Sequence, residues 1–353
     1  MPSPFRSEAL VATLLAVSFV ACGAPSRPES AADPELDEPA GASASGPGSG
    51  GKASPPSKSP DVSKGIAQFD AGDFAGAKAS FEAAVAKDPK DADALYYAGL
   101  ASEKLGDRAG AESKYKGSLA LRPDFEAAAV NASALASEAK RFDDALAYLD
   151  AARKKHPGNA SLALNQGVAF AEKGDAAAAT RAFEDAAKAG ADDPMVHLTV
   201  AHWQKTWNKR DRALEALKKA DALAKGDVGL LAAVGDEYRG LGAFAECTSA
   251  FDRAIAKRDV AELRTERALC KLGAKDDSGA LADLQAAVTK EPNYAPAHFY
   301  IGGRFAAQGK WKETADAYAT YLRLAPSGPM AKVAEERAAL AKKKLTGGKT
   351  KSP

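Results

Sequence analysis

Cysteine is scarce in this 353-residue chain: there are three, Cys22, Cys247 and Cys270. That excludes a disulfide-built scaffold, which needs many closely spaced cysteines. Large apolar runs are almost absent. The only one, Ala9 to Val20, is twelve apolar or small residues, short of the ~20 a membrane-crossing helix requires. Excess charge of either sign is missing as well. The formal net charge is +1, so no global field draws nucleic acid or an acidic partner. The usual catalytic signatures are also missing. The histidines are His156, His197, His202 and His298. His197 and His202, five apart, stand about 140° apart around a helix, whereas a metal pair wants three or four. No nucleophile elbow, paired-cysteine motif or phosphate loop occurs in the part that reads as ordered. Gly46 to Ala53 comes close to a phosphate loop, but Ala53 stands where magnesium needs Ser or Thr, and proline surrounds it. The chain reads as a non-enzyme with no cofactor, metal, nucleic acid or small-molecule substrate.

What is present is a period. From Ala92, apolar or small residues fall at slots four, seven and eight (Leu95, Ala98, Gly99), a Gly106-Asp107 turn follows, and slots 20, 24, 27 and 32 hold Ala111, Tyr115, Ser118 and Pro123. Spacings of three and four put each apolar set on one helix face. Glycine ends the first helix and proline stops the second. Neither helix can bury its stripe alone, so the unit needs neighbours. They exist: Pro89, Pro123 and Pro157 are 34 apart, as are Pro292 and Pro326. The turn recurs as Gly72-Asp73, Gly174-Asp175 and Gly309-Lys310.

In this frame the sequence resembles the tetratricopeptide repeat family, with its ~34-residue unit of paired helices. Eight units start at 58, 92, 126, 160, 194, 228, 261 and 295, the sixth one residue short. The fold implied is all-α, a right-handed solenoid of eight helix pairs over 58–328, closed by a capping helix at 329–345. A basic tail fills 346–353.

Ahead of the array, 1–21 reads as an export signal. Val20-Ala21-Cys22 resembles a bacterial lipobox, which implies cleavage before Cys22 and lipidation of its sulfur. Cleavage after Gly23 or Ala24, giving a protein without lipid, is the other reading. Residues 22–57, rich in Ala, Pro, Ser and Gly, read as a tether. The envelope location implied is the outer membrane, facing the periplasm.

The resemblance also implies a protein-binding groove lined by the first helix of each pair. Carried onto this sequence, it comprises Ile66, Phe69, Tyr96, Leu100, Val130, Leu164, Val168, Leu198, His202 and Phe299. These side chains either meet a partner or contact one another across the superhelix. Trp203 and Trp207 read either as a binding hot spot or as packing between repeats. Cys247 and Cys270, on neighbouring helices, read either as a disulfide or as buried thiols. The function expected is a protein-interaction scaffold or assembly factor of the envelope. More specific versions are a pilotin-like factor for pilus or secretion pores, a motility component, or a regulatory subunit of a cell-wall enzyme.

Overall fold

The computed structural model describes residues 59–347, and the export signal, Cys22, the tether and the last residues of the tail lie outside that range. Among the described residues there are seventeen helices and no strand. They fall into two compact units, one ending at Ala191 and the other beginning at Asp192. The first holds α1 (Pro60–Asp70), α2 (Phe74–Lys87), α3 (Ala92–Lys104), α4 (Arg108–Leu121), α5 (Glu126–Glu138), α6 (Phe142–Lys155), α7 (Ala160–Lys173) and α8 (Ala176–Ala189). The second holds α9 (Pro194–Thr206), α10 (Arg210–Leu223), α11 (Val228–Gly240), α12 (Phe244–Lys257), α13 (Ala261–Gly273), α14 (Asp277–Lys290), α15 (Ala295–Ala307), α16 (Trp311–Leu324) and α17 (Ala331–Gly347). Each odd-numbered helix up to α15 pairs with the one after it, and within each unit the second helix of a pair packs on the first helix of the next. The last helix, α17, covers α16 with Ala334, Ala338 and Ala341 buried. It runs to Gly347, two residues past the end expected from sequence.

Every pair turns in the same way. A left-handed residue follows the first helix in all eight repeats, directly at Gly174 and as the second residue past the helix end at Gly72, Gly106, Lys140, Asn208, Gly242, Lys275 and Gly309. Three of these carry a side chain in a conformation that costs an L-residue about 1–2 kcal/mol, and for that reason the sequence frame showed the turn only where glycine marks it. The following residue often caps the second helix. The carboxylates of Asp73, Asp107, Asp175 and Asp276 each accept a backbone N–H three residues on, satisfying a donor the helix leaves open.

Within a pair, slot eight of the first helix faces slot 24 of the second, and the two vary together. Where slot eight is glycine (Gly65, Gly99, Gly167, Gly235, Gly302), a ring lies against it: Phe81, Tyr115, Phe183, Phe251 and Tyr318. A Cβ added at Gly167 would stand 2.4 Å from the Phe183 ring. Where slot eight is Ser133, Ala201 or Ala268, slot 24 is Leu149, Leu217 or Leu284, each fully buried. The small residue lets the helices close on the ring, and a side chain at slot eight demands a slimmer partner.

Cys247 on α12 and Cys270 on α13 are both fully buried and joined as a disulfide, with Cα atoms 5.8 Å apart. That separation suits a bridge, and it decides between the two readings that the sequence left open.

Two outcomes follow from this packing. Gly167→Ala should lower stability, because overpacking costs about 1–3 kcal/mol against the ~1 kcal/mol alanine gains in a helix. Adding Phe183→Leu should restore much of the loss. Denaturant unfolding of both single variants and the double gives the coupling, and strict additivity would refute the account. For the bridge, non-reducing digestion should yield one linked peptide. Reduction should cost about 3 kcal/mol for a loop of this length, and should not alter the Cys247→Ala/Cys270→Ala variant.

Candidate functional site

The residues expected to line a groove do not share one environment. On the first helices of the unit 59–191, Ile66 and Phe69 are partly exposed and rest on the cluster of Val62, Phe81 and Ala98. Tyr96 and Leu100 are partly exposed and rest on Tyr115, Val130 and Leu149. The Tyr96 ring lies 4.9 Å from Phe125 and 5.8 Å from Tyr115, and burial pushes its hydroxyl well above the usual phenol range. Val168 is partly exposed on α7.

Four others are core residues. Val130, Leu164, Leu198 and Phe299 retain 9, 8, 5 and 4% of their surface. The cause is the stacking of first helices within each unit, with α5 lying against α7, α9 against α11 and α13 against α15. Phe299 is covered from the other side, held edge-on by Tyr318 and Tyr321 of its own second helix α16 at 5.5 and 5.4 Å, in one cluster with Ala334 and Ala338 of α17. A partner cannot reach these positions without opening the array.

His202 is half-buried and engaged. Its Nδ1 lies 3.0 Å from Glu237 Oε1, while Lys205 Nζ lies 2.6 Å from Glu237 Oε2. Burial alone would raise the Glu237 carboxyl, but the hydrogen bond to His202 and the Lys205 charge leave it below the usual range. Beside it on α11, Arg239 bridges Asp236 at 2.6 Å and Glu266 of α13 at 3.2 Å, all three nearly buried. Sequence reasoning missed this network. Its trace was legible as acids at slots nine and ten of repeat six, Asp236 and Glu237, directly after the apolar run Leu230 to Gly235. Buried ion pairs are weak sources of stability, so this part of the first-helix row is polar by composition and not by need of the core. Trp203 and Trp207 are half-buried with rings 5.9 Å apart.

The unit 59–191 therefore presents a row of partly exposed apolar side chains edged by charge, and the unit 192–347 presents a charged, internally paired row. Contact by shape and charge is what such rows offer. Among the described residues, no group of three or more His, Cys, Asp or Glu is gathered to hold a metal ion. No described helix is long and apolar enough to cross a membrane. Cys22 lies outside the described residues.

Comparison with known proteins agrees with the architecture. The tetratricopeptide repeat profile matches residues 62–124, 131–194 and 272–329. No curated protein matches the sequence. Among solved structures, yeast Tom70 is 15% identical with a TM-score of 0.54, covering 84% of this chain and 67% of that one. The Cut9–Hcn1 heterotetramer of the APC/C gives 16% identity and a TM-score of 0.45, covering 75% of this chain. This chain spans about half (52%) of that one's length. PilW, described as a widely conserved type IV pilus biogenesis factor, gives 20% and 0.47, covering 56% of this chain and 91% of that one. The eight helix pairs, their common turn, their slot-eight packing and the profile agree: this chain belongs to the tetratricopeptide repeat family.

Proposed function

We propose that this chain is a non-catalytic scaffold or assembly factor of the bacterial envelope, anchored by lipid at Cys22. It holds a partner protein's helix or extended apolar segment on the first-helix face of repeats one to four. The family's fold supports a protein-interaction role. The observation that carries the reading is the set Ile66, Phe69, Tyr96, Leu100 and Val168, apolar side chains left partly open on the first helices α1, α3 and α7. A set of this kind matches the anchors of a helix laid in a groove. The Cys247–Cys270 bridge supports an exported protein, since such crosslinks persist outside the reducing cytoplasm. The apolar run Ala9 to Val20, followed by Ala21-Cys22, supports the anchor, and two or three acyl chains at about 0.8 kcal/mol per buried methylene would hold it firmly.

Crosslinking capture from envelope fractions tests the site. Leu100→Asp with Val168→Asp should abolish capture, by burying unpaired charge at the contact. Leu100 rests on the core, so this pair loses some stability. Val168→Asp alone, at a partly exposed position, should weaken capture while its unfolding midpoint stays near wild type. Unchanged capture by a folded variant would refute the site. For the anchor, Cys22→Ser should leave unprocessed precursor and abolish labelling by an alkyne fatty acid, and equal labelling of both forms would sink it.

A further inference from the structure

The apolar face of α3, α5 and α7 has three carboxylates gathered along one edge. Glu103, Glu138 and Glu172 lie in the last turns of these three successive first helices, Glu138 as the final residue of α5. The other two are each followed by a lysine, Lys104 and Lys173, the latter paired with Asp143. Glu103 accepts a hydrogen bond from the Tyr115 hydroxyl at 2.7 Å, and Glu172 is hydrogen-bonded by Ser137. Both donors are neutral, so the negative charge stays in place. Glu138 pairs with exposed Arg108. Loss of surrounding water pushes the carboxyls of half-buried Glu103 and of Glu172 up by more than the hydrogen bonds from Tyr115 and Ser137 lower them, and the Glu138 charge raises each further. Lys104 and Arg108 offset this only in part at Glu103. Like charges crowded beside an apolar surface are relieved by an incoming cation and repel an anion.

Resting on the groove reading above, we infer that the partner segment is basic and amphipathic, with Lys or Arg beside the apolar side chains that meet Tyr96, Leu100 and Val168. The apolar contacts give affinity, and the acidic edge gives sign and orientation. Acidic segments are excluded by repulsion, which is how such a surface gains selectivity.

The test uses the purified full chain and three labelled 18-residue helical peptides that share one leucine face and carry Lys, Gln or Glu elsewhere. By fluorescence anisotropy at low salt, the Lys peptide should bind at least tenfold more tightly than the Gln peptide, and the Glu peptide should not bind. In Glu103→Gln/Glu138→Gln/Glu172→Gln, which keeps an acceptor for Tyr115, the Lys advantage should disappear. It should survive Glu82→Gln/Glu184→Gln, which removes exposed carboxylates from second helices. Equal binding of Lys and Gln peptides, both lost in Val168→Asp, would overturn the charge inference and leave the groove standing. A Lys advantage that survives the triple variant would also overturn it. If no peptide binds and Val168→Asp does not alter capture, the groove reading falls and this inference with it.

Discussion

The close approach of two helices inside each pair is the constraint on which the rest of this protein depends. A glycine opposite a ring, or a small side chain opposite leucine, sets how near the helices come. The separation then sets where the first helix presents its outer face. In a protein with no single central core, stability is a sum over pairs and their interfaces, so each closure is local. The inter-repeat ion pairs on the surface, such as Lys78 with Asp107 and Lys173 with Asp143, are exposed. Pairs of that kind contribute roughly 0–1 kcal/mol each. Packing decides the architecture, and the charges follow its register.

Much of this was legible because the signal is periodic. Gly99, Tyr115 and Pro123 each make sense only as one slot of a unit, and the unit returns. The turns at Lys140, Asn208 and Lys275 were harder to see, because the geometry demands a left-handed residue without demanding glycine. The pairing of slots eight and 24 was present as residue types but not as a contact, and its logic emerges when the Gly167 and Phe183 positions are seen facing each other.

The candidate site was less legible, for a physical reason. A slot in a repeat specifies which side of a helix a residue occupies, not how much of it neighbouring repeats cover. Val130 and Leu164 occupy the same slot as partly exposed Tyr96, yet they are buried where first helices stack. His202 was read as a groove residue, whereas its partner Glu237 sits 35 residues away, one repeat on. Charge pairing across repeats has no short-range pattern in sequence, so the whole network around Arg239 went unread.

The lock between slots eight and 24 lies within one repeat, whereas the Cys247–Cys270 bridge joins two. That difference bears on how such a chain can change over generations. Duplicating or deleting a unit of about 34 residues carries both halves of its lock along, so the new array still closes, pair by pair. Repeats six and seven are tied to each other by name, and a rearrangement that parted them would strand two thiols. This protein thus joins a freely expandable series with one boundary at which the order of repeats is fixed.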